Sequence, residues 1–305
     1  MTGEHPQPSE RSRSLVAGAY DLHVHVAPDV MRRSITDVEL AARFGDRNLA
    51  GFVLKSHYAP TAERASVVRS AVPGVQVMGA ITLNGSVGGI NPIAVEIAAR
   101  EGARLVWMPT VDSLNQRRST AQDPEGARPP MWAQVQADLI ERGIAADPVR
   151  VVDPAGEVLP EVHDVLRTIA RHSLTLATGH LSRDEIFTVV DAALADGVKK
   201  IIITHPEFTS QRLSADDQAA LAERGAILER CFTTPYTGKV AWAQMVENIQ
   251  RSGTKSSLLS SDLGQPFNPP VEDGLALMAD FLRDAGFTDQ EIHTMAVANA
   301  ATLVE

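Results

Sequence analysis

Tyr20-Asp21-Leu22-His23-Val24-His25-Val26 alternates polar and apolar side chains at the period of a β-strand. Residues i and i+2 of a strand share a face, so Asp21, His23 and His25 are expected to project together. Leu22, Val24 and Val26 are then expected to face a packed layer. Two imidazoles on one strand face make half of a metal site.

Outward from this stretch, short apolar runs recur at 51–58, 75–84, 103–112, 174–180, 199–206, 226–232 and 257–263. Amphipathic helical patterns lie between them, at 34–44, 61–71, 92–102, 160–171, 183–197, 214–224 and 241–252. Apolar runs that alternate with helices are buried parallel strands, and eight such strands are the count of a closed (β/α)8 TIM barrel. Helix punctuation agrees. Ser182 is an N-cap followed by first-turn acids, and Gly197 and Gly225 follow helical runs as C-terminal glycines do. Residues 271–304 read as two further helices, the first closed by Gly286, completing the outer ring of an α/β domain over residues 17–305.

One interval breaks the rhythm. Residues 113–160 separate strand four from its helix and are too long for an ordinary βα loop. The interval holds a polar, proline-rich stretch at 117–130, a helical pattern at 132–142, and a hairpin of 149–153 and 157–159 around Pro154-Ala155-Gly156. Because it leaves the barrel from the βα face, we expect a lid or a subunit contact. Residues 1–16 are polar and lack an apolar secretory core, so a disordered N-terminal tail is expected there.

Composition narrows the class of partner. A net charge of −10 and a pI near 5.4 oppose binding to phosphate backbones or anionic lipid, which argues against nucleic acid and membrane partners. No run approaches the 18 apolar residues of a membrane span. The single cysteine, Cys231, permits neither an internal disulfide nor a thiolate metal cage, so any metal must be held by His and carboxylates. A cytoplasmic protein acting on a small molecule, and assembling as a homo-oligomer, is the expectation.

Of the nine histidines, five close predicted strands: His23, His25, His57, His180 and His205. These five fall on four strands, and Asp262 closes a fifth in the same way. His5, His163, His172 and His293 fall in the tail or in helical patterns. The C-terminal ends of barrel strands surround one mouth, so residues distant in sequence meet there. Imidazole and carboxylate ligands suit Zn²⁺, Fe²⁺, Mn²⁺ or Ni²⁺, with zinc the default. Such a metal activates water and polarises a carbonyl, and Asp262 would ligate it and shuttle the proton of the attacking water.

The order His23-x-His25 on strand one, His180 on strand five, His205 on strand six and Asp262 on strand eight resembles the amidohydrolase superfamily of metal-dependent hydrolases, over residues 20–305. The resemblance implies one or two divalent metal ions and hydrolysis of an amide, ester, lactone, imine or phosphoester. Residues 54–57, 88–92 and 107–110 also resemble an uncharacterised amidohydrolase-like family with Leu-Lys-x-His, Gly-Gly-x-Asn-Pro and Trp-Met-Pro-Thr elements, which brings no substrate with it. The chain departs from the binuclear pattern at strand four, where Thr110 and Asp112 stand in place of a carboxylated Lys or a Glu. Its lysine is Lys55 on strand two, sharing a face with His57. Lys55 is either a carboxylated metal bridge or a cation that anchors an anionic substrate.

We therefore assign His23, His25, His180, His205, Asp262 and Lys55 as metal ligands, with Asp262, Lys55 and His205 catalytic. His57, Asn84, Thr110, Glu229 and Trp107 are assigned to substrate contact, and Glu207 to a supporting role behind His205. Cys231 reads as a small buried hydrophobe. A hydrolase of C–N or C–O bonds leads. A metal phosphoesterase and a metal-dependent decarboxylase are the enzymatic alternatives, the first disfavoured by the lack of an Asp-x-His pair near the C-terminus. A metal-binding regulatory protein is the non-enzymatic alternative and would saturate its coordination. Metal count separates these readings.

Overall fold

The computed structural model describes residues 5–120, 131–144 and 147–305. Eight strands form one sheet in sequential order: β1 (Tyr20–Val24), β2 (Gly51–Leu54), β3 (Gln76–Thr82), β4 (Ala103–Trp107), β5 (Thr175–Ala177), β6 (Lys200–Ile203), β7 (Ile227–Cys231) and β8 (Ser257–Ser260). Every neighbouring pair is parallel. A parallel bridge between Val24 and Leu263 closes β8 onto β1, so the sheet is a (β/α)8 barrel, as the sequence pattern predicts.

Helices α1 (Glu10–Leu15), α2 (Asp37–Asp46), α3 (Ala62–Ala71), α4 (Pro92–Arg100), α5 (Leu114–Thr120), α6 (Met131–Glu141), α7 (Pro160–Arg171) and α8 (Arg183–Ala195) come first in the chain. They are followed by α9 (Ala215–Glu223), α10 (Thr233–Tyr236), α11 (Trp242–Ser252), α12 (Gly274–Asp284), α13 (Asp289–His293) and α14 (Asn299–Val304). Their starts follow local chemistry. Thr36, Ser182, Ser214 and Thr288 each accept from the backbone N–H three residues on, and the acidic residue there returns the bond, so α2, α8, α9 and α13 open on capping boxes. Asn91 caps α4 with Pro92 in its first turn.

The barrel interior is apolar at one end and polar at the other. Leu22, Val53, Leu105, Ile202 and Leu258 fill it together with Trp107, and Ala300, Leu303 and Val304 of α14 pack against them. Thr175, which opens β5, donates to Leu303 O at 2.6 Å, so α14 plugs the end where the strands begin. The histidines occupy the opposite end.

Two expectations change. The alternation in residues 20–26 is interrupted by a bulge between Asp21 and Val24, so Leu22 packs with the barrel interior while Val24 and Val26 pack with the outer helices. Asp21 does not join the histidines. Its Oδ1 accepts from Ser261 N–H at 3.0 Å and from His23 N–H at 3.2 Å across the seam, and burial pushes its carboxyl up to about 6. The N-terminal stretch is also more ordered than expected. Ser9 caps α1, and Asp280 of α12 accepts from Ser9 N–H, Ser9 Oγ and Ser12 Oγ at 2.6 to 2.7 Å. Polar composition hid a helix that docks through these hydrogen bonds together with Leu15 and Val16, which pack on the apolar core.

Within the insertion, Val152 pairs antiparallel with Val158, which is the expected hairpin, and α6 covers the expected helix. Residues 121–130 of the proline-rich stretch, and 1–4 of the tail, lie outside the described residues.

Candidate metal centre

The seam that closes the barrel also assembles the centre. His25 N–H donates to Leu263 O at 2.8 Å and Asp262 N–H to His23 O at 2.9 Å, which sets Asp262 beside both imidazoles. His23 Nε2 and His25 Nε2 lie 3.2 and 3.1 Å from the same oxygen, Asp262 Oδ1. The approach needs Gly264, because a Cβ there would sit 1.5 Å from His25 O. Asp262 itself has φ 52° and His205 φ 25°, left-handed conformations that cost of order 1–3 kcal/mol each and persist where a side chain must be aimed.

The remaining strand ends face this pair. Lys55 directly follows β2, with Nζ 2.8 Å from His23 Nε2 and 5.2 Å from the centre of the Trp107 ring. His205 stacks 5.9 Å from His23, and His180 lies 5.0 Å from His205, ring centre to ring centre. Gly179 lets His180 turn inward, since a Cβ there would meet Met108 O at 2.3 Å. The insertion holds this turn, with Ser113 Oγ and Asn115 Nδ2 donating to His180 O at 2.9 and 3.1 Å.

Burial controls the charge state. Desolvation pushes His25 and His205 down to about 3 and holds His57 and His180 well below the usual range, so these rings are neutral at pH 7. It also lowers Lys55. For Asp262 burial acts upward, but the adjacent His23 and His25 rings and Lys55 prevail and hold the carboxyl well below its ordinary value. Glu229 is likewise held down by His23, whose Nδ1 is 3.1 Å from Oε2.

Unprotonated ring nitrogens beside an ionised carboxylate are the protonation state that a divalent cation needs. His180 Nδ1 and His205 Nδ1 are buried without a hydrogen-bond partner among the described residues. His23, His25 and Asp262 fit a cation between them, with His180, His205 and Lys55 facing the same space. A second convergence of His23, Glu229 and Cys231 fits less well, because burial raises the Cys231 thiol well above its ordinary value and keeps it protonated.

A cavity of about 380 Å³ opens over these groups. His25, Lys55, His57, His180, His205 and Asp262 line it, and His23 lies beneath. Four substrate-contact candidates do not line it. Asn84 spends its amide on His57 O, Thr110 Oγ1 and Thr110 N–H, at 2.7 to 2.9 Å. Thr110 Oγ1 pairs with His57 Nδ1 at 2.8 Å, Glu229 backs His23, and Trp107 belongs to the apolar plug. Glu207 does not support His205 and pairs with buried Arg230 behind the barrel wall.

The sequence reading missed Arg33, Thr233 and Lys239 in the lining. Thr233 lies two residues past β7 and donates to Asp262 Oδ2 at 3.0 Å, so the strand-end rule that found His205 would have found it. Arg33 and Lys239 sit in loops, where no periodicity marks them.

Barrel, seam and converging histidines define a (β/α)8-barrel protein with a histidine-lined mouth. The probable dipeptidase PvdM from Pseudomonas aeruginosa is similar over 96% of both chains, with a TM-score of 0.62 and 10% identity. An amidohydrolase from Pseudomonas aeruginosa matches over 96% of this chain and 98% of its own, with a TM-score of 0.61 and 10% identity. A putative 2-pyrone-4,6-dicarboxylic acid hydrolase from Pseudomonas putida matches over 94% and 97%, with a TM-score of 0.56 and 15% identity. At such identities the likeness is one of fold. No curated protein matches the sequence. The chain belongs to the Family of unknown function (DUF6282), whose model matches residues 18–229 and so includes every candidate ligand except Asp262.

Proposed function

We propose that the chain is a metal-dependent hydrolase that cleaves a C–N or C–O bond, in an amide, cyclic amide, lactone or ester, of a small molecule. The observation that carries this reading is the convergence of His23 Nε2 and His25 Nε2 on Asp262 Oδ1 at the floor of a cavity. A divalent cation bound there, with zinc the first expectation, supplies Lewis acidity towards a carbonyl oxygen and lowers the pKa of water.

The chain's own groups supply the rest. Asp262 is held ionised, and Thr233 fixes its second oxygen, so it can take a proton from the attacking water and pass it to the leaving group. His180 and His205 stay neutral across the cavity and can ligate a second cation or donate to the substrate. His57, braced by Thr110, reaches the cavity from β2. Lys55 is buried with a lowered pKa, which favours the neutral amine that carboxylation requires.

The insertion is read as a lid. Met131 and Trp132 of α6 line the cavity, and Gln136 ties α6 to Val111 O at 2.6 Å and to Asp112 Oδ1 at 3.0 Å. Covering the mouth excludes water, which strengthens every charge interaction inside. A cytoplasmic setting and homo-oligomeric assembly belong to the same proposal. Among the described residues no helix is long and apolar enough to cross a membrane.

Elemental analysis of the purified wild type beside His23→Ala/His25→Ala tests the reading. Metal in the wild type that is lost in the variant, with hydrolysis of a panel of lactones, esters and dipeptides depending on it, is the expected result. Wild-type protein that takes up no zinc or manganese on reconstitution would sink the mechanism. One cation without Lys55 involvement would move weight to the decarboxylase alternative.

A further inference from the structure

Arg33 lies between β1 and α2 with a side chain only 3% exposed. Asp29 holds one edge of its guanidinium, Oδ2 accepting from Nε at 2.7 Å and lying in an ion pair 2.6 Å from Nη2. Nη1 makes no hydrogen bond among the described residues, and the side chain lines the cavity. The guanidinium thus keeps one donor edge open towards the cavity, where a ligand can complete it.

The neighbouring imidazole has the complementary need. Arg33 Nη2 lies 3.4 Å from His25 Nδ1, on the ring edge opposite the one that meets Asp262. A histidine whose Nε2 faces a cation carries its proton on Nδ1 and wants an acceptor there, as Glu229 provides for His23. Arg33 has only donors and cannot serve. A carboxylate shared between Arg33 and His25 Nδ1 satisfies both groups, and its two oxygens match the planar fork of the guanidinium.

The rest of the cavity fits the same ligand. Lys239 also lines the cavity, with Nζ 4.1 Å from the centre of the Phe208 ring, and among the described residues Asp262 is the one carboxylate in the lining. Met131, Trp132, Phe208 and Phe267 make the walls apolar. We propose that Arg33 anchors the substrate's carboxylate, and that the site takes a small carboxylic acid with an aromatic or apolar body. The inference rests on the hydrolase reading for the fate of the ligand, because it seats the acid beside His25 and leaves the bond to be cleaved facing the imidazoles.

Calorimetric titration of benzoate and of benzamide into zinc-loaded and metal-free protein tests the anchor. Benzoate is expected to bind the wild type at least about tenfold tighter than benzamide, and to lose about 10- to 100-fold in Arg33→Gln while benzamide is unaffected. Because Arg33→Gln leaves Asp29 buried and unpaired, Asp29→Asn/Arg33→Gln is run beside it and is expected to show the same loss. Equal binding of the two probes, or no benzoate binding to the wild type, overturns the proposal. Benzoate binding that survives both substitutions but disappears with the metal also overturns it, and leaves the hydrolase reading intact. Arg33-dependent binding in a protein that takes up no metal would uphold the anchor and remove the hydrolase.

Discussion

Glu229 Oε2 lies 3.1 Å from His23 Nδ1, while Nε2 of the same ring points at Asp262 Oδ1. One imidazole is thus held at both edges, by β7 behind it and by the β8 end in front. The rear carboxylate fixes both ring orientation and tautomer, leaving Nε2 unprotonated for a cation. Glu229→Gln is expected to keep the fold and to weaken metal binding by about 10- to 100-fold, since partners of this kind typically contribute that much. Competition against a chelator of known affinity reads the change. An unaltered affinity would mean that Trp107 and Lys55 packing alone sets the ring.

The Arg230–Glu207 pair makes a separate claim, on stability. Arg230 is fully buried, and Gln218, Ser252 and Ser257 complete its hydrogen bonds. Removing one partner of a buried pair strands the other charge, so Glu207→Ala is expected to cost about 3–5 kcal/mol. Urea unfolding of the metal-free protein measures this without contribution from bound metal. A loss under about 1 kcal/mol, the scale of a surface pair, would show that the hydroxyl and amide partners suffice.

Glu207 also shows where sequence reasoning stopped. The strand-end rule put His205 at the mouth, where it lines the cavity, but His205 adopts φ 25°, and the chain past that turn points Glu207 elsewhere. The same failure occurs at Leu22, where a bulge rather than a turn shifts the faces. The barrel itself was legible because each strand is a short apolar run with a polar residue at its mouth, and that signal is local. Arg33 and Lys239 were not legible, because loops carry no period and their placement depends on tertiary packing. Asn84, Thr110 and Trp107 were found near the site, but the structure gives them protein partners and leaves them out of the cavity lining. Sequence shows that a polar group stands at a strand end, and not whether its neighbours already satisfy it.

Asn84 illustrates that last point and yields its own test. Its side chain accepts from Thr110 N–H and donates to His57 O and Thr110 Oγ1, joining the ends of β2, β3 and β4. Asn84→Ala leaves His57 O and Thr110 N–H without that partner, while Thr110 Oγ1 keeps His57 Nδ1, at about 1–3 kcal/mol for each group that finds no water. Thermal unfolding should report a clear loss, and substrate-analogue binding should fall through disorder at His57. Retained stability with lost binding would restore the substrate-contact role first assigned to Asn84.

The docking of α1 should depend on pH with a definite sign. Burial acts to raise Asp280, but the hydrogen bonds from Ser9 and Ser12 prevail and hold its carboxyl below the ordinary value. A carboxyl depressed in the folded state binds its proton more weakly there than in the unfolded chain. Its contribution is therefore complete above the unfolded pKa, about 3.9, and fades as pH falls through the lower folded value. The difference in stability between wild type and Asp280→Asn should be present at pH 6 and should shrink towards zero as the pH is taken well below 3.8. Hydrogen exchange of the α1 amides, corrected for intrinsic rates, locates the effect, since only this helix and its contacts with α12 should lose protection first. A difference that stays constant across the range would mean that the shape of the carboxyl, and not its charge, holds the helix in place.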